Sequence, residues 1–193
     1  MGVKKNYILA SGSKDRFALL GQVGFEPESV HSPDIDETPF VNERPSDYVM
    51  RMALEKAKAV SEKFKGRIVL SADAIVVADD MIIQKAYTEE EQTAVMNRLS
   101  GKTHFVLTAI CVADGKGVFY QELCPTEIKT LPMTAEEITA YVKSHDWEGC
   151  SGYKAEGLMA GFIEKINGSY SGLIGMPQCE ARRLLLKAGV TDL

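Results

Sequence analysis

Residues 66–77, Gly-Arg-Ile-Val-Leu-Ser-Ala-Asp-Ala-Ile-Val-Val, place the tightest constraint on how this chain can fold. Ile68, Val69 and Leu70 read as a strand entering a core, and Ile75, Val76 and Val77 resume the apolar run. Between them stands Asp73, flanked by Ser71, Ala72 and Ala74, none of which carries a charge. A carboxylate buried among apolar groups is costly unless a cation answers it. The pattern leaves two readings open: a buried acid met by a partner from elsewhere in the chain, or a solvent-facing acid at a strand break.

A partner is available in the helix predicted from Ser46 to about Phe64. Val49, Met52, Ala53, Ala57 and Val60 mark its packing face, and Lys56 falls within that stripe. A lysine there either snorkels past the stripe to water or reaches a polar cavity at the edge of the core. In the second case Asp73 is the beneficiary, directly or through a bound phosphate.

The amino-terminal segment offers an anion site. Tyr7 to Ala10 reads as a strand, followed by Ser11-Gly12-Ser13 and a helix with Phe17, Leu19 and Leu20 for packing. Free amides at such a helix start attract anions. Ser13 is placed to cap the helix, while Arg16 in its first turn opposes the helix dipole. An anionic ligand would give Arg16 a purpose; a plain N-cap beside a solvated arginine is the other reading. Asp34, Asp36 and Glu37 then gather in one loop, either as a solvated cluster or as oxygen ligands for a divalent cation.

Further along, Asp79-Asp80 makes a turn into a short strand, Met81 to Ile83, which leads to Lys85. Thr88 with Glu91, and Thr134 with Glu137, are capping boxes that open helices. Lys102 falls in a loop. Val106–Ala113 and Val118–Gln121 form a hairpin around residues 114–117, with a separate strand expected at Glu127–Leu131. Trp147, in a polar connector, is a lid, a contact surface or a packed residue. A glycine-marked segment holding Lys154 and Glu156 precedes a strand at Gly161–Ile166, and residues 167–172 read as a ligand-approaching loop. Pro177 opens the last helix and Gly189 closes it. Strands mixed with helices indicate an α/β fold with a mixed sheet. The first strand–helix joint lacks a dinucleotide fingerprint, and no Walker loop occurs.

Composition narrows the chemistry. A chain of 193 residues fits one domain or two intimately packed lobes, and a net charge of −5 argues against a non-specific nucleic-acid binder. Cys111, Cys124, Cys150 and Cys179 lie too far apart for a close-spaced zinc motif, and only three histidines are present. The chemistry therefore falls to carboxylates, lysines, arginines and hydroxyls, with or without an oxygen-loving cation. No apolar run approaches the roughly 18–20 residues that span a bilayer. The apolar stretch after Met1-Gly2-Val3-Lys4-Lys5 is too short for a secretory signal, so the cytoplasm is the expected location.

Taken together and in order, these segments resemble the Maf family of nucleoside triphosphate pyrophosphatases over nearly the whole chain. The likeness is carried by Ile8-Leu9-Ala10-Ser11-Gly12-Ser13, Asp34-Ile35-Asp36-Glu37-Thr38-Pro39, Glu55-Lys56-Ala57, Ala72-Asp73, Lys85 and Leu99-Ser100-Gly101-Lys102-Thr103-His104. It continues through Lys154-Ala155-Glu156-Gly157, Ile166-Asn167-Gly168-Ser169-Tyr170-Ser171 and Leu173-Ile174-Gly175-Met176-Pro177. The resemblance implies an enzyme that cleaves between the α- and β-phosphates of a nucleoside triphosphate, releasing a monophosphate and pyrophosphate. It implies a single domain over residues 1–193, with two packed lobes around a central cleft and an elongated mixed sheet, related to inosine triphosphate pyrophosphatases. A divalent cation, Mg²⁺ or Mn²⁺, and a homodimer belong to the same expectation. Asp73 takes the place of the proton acceptor, with Lys56 and Lys85 beside it. Glu37 and Asp73 are the implied metal ligands, and Ser11, Ser13, Arg16 and Lys154 implied substrate contacts.

The chain departs from the family pattern in informative places. Where relatives usually carry Ser-x-Ser-Pro-Arg-Arg, this sequence has Ser11-Gly12-Ser13-Lys14-Asp15-Arg16, and Gly-Lys-Pro becomes Gln84-Lys85-Ala86. Asp15, Ala74 and Glu156 occupy positions that resemble the family's base-specificity residues. Glu156 leans toward the 7-methyl-GTP branch, because a carboxylate accepts from guanine-edge N–H groups. Ala74 matches neither that branch nor the thymidine/uridine triphosphate branch.

Overall fold

The computed structural model describes residues 4–191; residues 1–3, the start of the stretch judged too short for a signal, lie outside them. At its centre is β3 (Val69–Ala78), an unbroken strand of ten residues that passes straight through Asp73. The strand-break reading of Asp73 is thereby overturned. The acid is 7% exposed.

One side of β3 pairs along its length with β5 (Thr103–Ala113) in antiparallel fashion. The other side is shared. β1 (Lys5–Ala10) runs parallel to the first part and ends with Ala10 opposite Ser71. β4 (Met81–Ile83) folds back on the last part, with Ile83 opposite Val76. Between Ser71 and Val76 this edge of β3 has neither neighbour, so β1 and β4 release the chain on either side of Asp73 and Ala74. A gap where flanking strands diverge is the usual place for a ligand in an open α/β sheet.

β2 (Pro27–Val30) extends the sheet beyond β1, and β6 (Phe119–Thr130) and β7 (Ile163–Asn167) extend it beyond β5, giving seven strands among the described residues, with parallel and antiparallel pairs. The hairpin return and the expected strand at Glu127 are one continuous β6, because Pro125 sits opposite Leu107 before β7 begins its pairing at Glu127. A proline is tolerated at a strand position whose outer side is unpaired. β2 carries little strand signal of its own and forms by lying against β1.

Side chains alternate across β3, and the alternation sorts the core. Ile75 and Val77 pack under α2 (Pro45–Lys63), and Ser71 on the same face donates to the Ala53 carbonyl at 2.5 Å. On the opposite face Leu70 and Ala72 join a cluster with Leu184 and Leu185 of α6 (Gln178–Lys187) and Leu19 and Leu20 of α1 (Lys14–Gln22). Val76 and Ala78 join a separate cluster with Met96 and Leu99 of α3 (Glu89–Leu99) and Ile138 and Tyr141 of α4 (Ala135–Lys143). Ala74 falls between the two clusters, where the cleft opens.

Both predicted capping boxes are formed. Trp147 is packed, 3% exposed, with its indole N–H donating to the Val142 carbonyl at 2.9 Å. The loop expected at 167–172 contains a helical turn, α5 (Tyr170–Leu173), capped by Ser169, and a 3₁₀ turn (Leu158–Phe162) precedes β7. All four cysteines are free thiols. Among the described residues no helix is long and apolar enough to cross a membrane.

Candidate active site

The gap beside β3 is the mouth of a cleft of about 630 Å³. Its floor is a buried ion pair. Lys56 of α2 donates to Asp73 Oδ1 at 2.7 Å, and both residues are 7% exposed. The lysine does not snorkel to water. Glu37 closes on the same ammonium at 3.1 Å from a side chain that is half exposed. One cation thus holds two carboxylates, so the acid buried in the sheet is paired and not left alone.

The first wall is built by the loop after β1. Ser11 Oγ accepts from the Ser13 amide at 3.1 Å and from Arg16 Nη1 at 3.2 Å. Ser13 caps α1 by accepting from the Arg16 amide. The guanidinium also donates through Nε to the Gly175 carbonyl at 3.0 Å, tying α1 to the turn before α6. Burial lowers the Arg16 pKa, against the opposing pull of Asp73, Glu37 and Asp15. Arg16 is therefore no solvated surface cation. Its charge is set within reach of the acids on the floor.

The second wall comes from the segment after β4 and from residues 149–156. Lys85 forms an isolated antiparallel bridge with Ser151, which clips the two segments together. Lys154 and Glu156 follow on the same wall, and Ala74 and Asp15 also line the cleft. The thiol of Cys150 reports this convergence. Its pKa is raised by burial and then by Glu156, with Lys154 pulling it down, Asp15 raising it and Lys85 lowering it. Behind the wall, Tyr153 pairs its hydroxyl with His104 Nε2 at 2.7 Å.

The residues that the family resemblance implies for the site all line one cleft: Asp73, Lys56, Lys85, Glu37, Ser11, Ser13, Asp15, Arg16, Ala74, Lys154 and Glu156. Asp34 and Asp36, read together with Glu37 as cation ligands, are exposed and do not line it. Lys102, left as a loop residue, is exposed and elsewhere.

Sequence reasoning missed what holds Glu37 in place. Arg51 donates to both carboxylate oxygens of Glu43 at 2.7 Å and to the Thr38 carbonyl at 3.2 Å, and its guanidinium lies 3.9 Å from the Phe40 ring centre. Tyr48 donates to the Glu37 carbonyl at 2.9 Å. Its phenol pKa is pushed up to about 12 by burial, with Asp73 and Glu37 adding to the shift. Two residues of α2, Tyr48 and Arg51, thus strap down the acidic loop. Their position at the start of a helix, with acids just before it, was the available signal.

The donor set also bears on a divalent cation. Two hard carboxylates, Glu37 and Asp73, converge on one cationic position. Among the described residues no group of three or more His, Cys, Asp or Glu side chains forms a metal cluster. Such a pair suits Mg²⁺, which commonly takes one or two carboxylates and completes its shell with phosphate oxygens and water.

Comparison with known proteins places the chain among relatives. The family model described as "Maf-like protein" matches residues 6–188. A dTTP/UTP pyrophosphatase of Brucella abortus (strain 2308) is 37% identical over 196 residues, covering 98% of this chain and 94% of the relative. A dTTP/UTP pyrophosphatase of Rhodopseudomonas palustris (strain BisB18) is 38% identical over 189 residues, covering 94% and 91%. Among solved structures, the Staphylococcus aureus Ham1 protein superposes with a TM-score of 0.54 at 11% identity, covering 96% of this chain and 97% of that one, a likeness of fold.

Proposed function

Because the chain belongs to the Maf-like protein family, we propose that the cleft hydrolyses the α–β phosphoanhydride of a nucleoside triphosphate, giving a monophosphate and pyrophosphate. The observation that carries this reading is the buried Asp73 carboxylate, held beside Lys56 and Glu37 at the floor of a cleft whose walls bring up Arg16, Lys85 and Lys154. The names of its relatives, which span the same length at 37–38% identity, agree with it.

Anhydride hydrolysis needs an activated water and neutralised charge on the phosphate oxygens. Asp73 is the group placed to orient the water and accept its proton. Lys85 and Arg16 supply positive charge along the two walls, and the start of α1 adds fixed dipoles. Lys56 holds the Asp73 carboxylate in place on the cleft floor. Glu37 and Asp73 are the residues that would hold a Mg²⁺ or Mn²⁺ ion together with substrate phosphates. When bound, such a cation neutralises phosphate charge and lowers the pKa of coordinated water. The reading extends to a single two-lobed domain acting as a cytoplasmic homodimer, as the family resemblance implies.

Two observations point to different bases. The relatives are named for dTTP and UTP. Glu156, exposed on the cleft wall, instead offers the acceptor that matches the paired N–H donors of a guanine edge. A hydrolysis panel of dTTP, UTP, GTP and 7-methyl-GTP with Mg²⁺ and with Mn²⁺ tests both. Pyrophosphate release from at least one nucleotide is expected, and release of single phosphate from all of them would overturn the reaction assignment. Glu156→Gln is expected to change the ranking of the four more than the summed activity; an equal loss on all four would remove Glu156 from base choice.

A further inference from the structure

We propose that Tyr87 is the platform on which the nucleotide base stacks, an inference that rests on the nucleotide reading above and adds a binding element to it. Three aromatic side chains line the cleft, Tyr48, Tyr87 and Tyr153. Two of them are committed. Tyr48 is 8% exposed with its hydroxyl on the Glu37 carbonyl, and Tyr153 is 6% exposed with its hydroxyl on His104. Tyr87 also lines the cleft and is 82% exposed, so among the described residues it is the cleft-lining tyrosine whose ring is not taken up by packing.

Its backbone is well anchored even though its ring is free. The Tyr87 amide donates to Glu91 Oε2 at 2.7 Å, within the capping box that starts α3. Two residues earlier, Lys85 is clipped to Ser151. Ala86, between them, is buried at 7%. Lys85 and Tyr87, two residues apart, both line the cleft and so bring an ammonium and an aromatic ring to it from one short segment. A nucleotide places a charged phosphate chain and an aromatic base at its two ends, and this pair offers a contact suited to each.

The ligand class follows from the ring. A tyrosine face stacks on any base, because every base has a π surface, so the contact adds affinity with little choice between purine and pyrimidine. Choice of base is left to the polar groups on the wall. Stacking contacts of this kind change affinity by roughly 10- to 100-fold when the ring is removed.

The test compares ligands with and without a base. Dissociation constants are measured by calorimetry for α,β-methylene analogues of UTP and GTP, and for inorganic tripolyphosphate, on the wild type, Tyr87→Ala and Tyr87→Phe. The expected result is a loss of about 10-fold or more for both nucleotides in Tyr87→Ala. Tripolyphosphate affinity and melting temperature should stay at wild-type values, and Tyr87→Phe should bind like wild type. Equal affinities for the nucleotides in all three proteins would overturn the proposal. So would a parallel loss on tripolyphosphate, which would place Tyr87 on the phosphates or in the fold, or a loss in Tyr87→Phe as large as in Tyr87→Ala. Pyrophosphate release by the wild type is measured separately. Its absence would count against the hydrolase reading, whereas the binding ratios judge Tyr87.

Discussion

His104 makes the acid stability of this protein a quantitative test of how the cleft wall is built. The ring is 1% exposed, bonded through Nε2 to Tyr153, and burial lowers its pKa from the usual 6.5 to about 4, with a smaller opposing pull from the Lys102 backbone. In the unfolded chain the imidazole takes a proton near pH 6.5, whereas in the folded chain it stays neutral until about pH 4. Between those values the unfolded state binds more protons, so stability falls as pH falls through this window. At about 1.36 kcal/mol for each pKa unit the full effect is about 3 kcal/mol, of which about 2 kcal/mol is reached by pH 5. Below pH 4 both states are protonated and this contribution stops growing. Urea unfolding of wild type and His104→Gln at intervals from pH 7 to pH 4.5 reads it directly. Carboxylates also titrate there, so the diagnostic quantity is the difference between the two proteins' pH slopes. Glutamine is expected to lower stability at pH 7 but to flatten its decline by about 2 kcal/mol at pH 5. Parallel curves would refute the claim that the imidazole is held neutral inside the wall.

Two further perturbations address the floor and the strap. Lys56→Met leaves Asp73 buried without its cation, a change that costs about 3–5 kcal/mol when a buried pair is broken. Thermal melts at pH 7 should show a marked loss relative to wild type, and an unchanged melting temperature would contradict the pairing. Arg51→Ala releases Glu43, the Thr38 carbonyl and the Phe40 ring together. Hydrogen exchange across residues 34–44 is expected to accelerate and kcat to drop about 10-fold or more, since small misplacements of catalytic groups are costly. Arg51→Lys should recover part of both, and unchanged exchange in Arg51→Ala would show that the loop is held by other means.

Much of this site is written in local pattern. A lone acid in an apolar run reads either as paired or as solvent-facing, and Lys56 on the packing stripe of the neighbouring helix supplies the partner for the first reading. Ser13, Thr88 and Thr134 announced helix starts because capping depends on residues within one turn. Features that depend on neighbours distant in sequence were less legible. β2 exists because β1 offers it an edge, and the unbroken path of β6 through Pro125 depends on where β7 begins. The Ser- and Gly-rich stretch at 169–172 reads as a loop, yet Ser169 caps a turn there and Thr108 donates to the Gly172 carbonyl at 2.7 Å. Arg51 and Glu43 stand eight residues apart across a loop–helix junction, a spacing that belongs to no periodic pattern. That Asp15 and Glu156 face one cleft follows from the family resemblance and not from either neighbourhood, since 141 positions separate them (156 − 15 = 141).

The central claim is that Asp73 drives cleavage between the α- and β-phosphates. ³¹P NMR of a nucleoside triphosphate incubated with wild type and with Asp73→Asn, in Mg²⁺ and in Mn²⁺, tests it most directly. The account predicts monophosphate and pyrophosphate resonances with the wild type and a loss of at least about 100-fold in their rate with a folded Asp73→Asn. Diphosphate and inorganic phosphate as the products, or an Asp73→Asn protein that turns over at the wild-type rate, would contradict it.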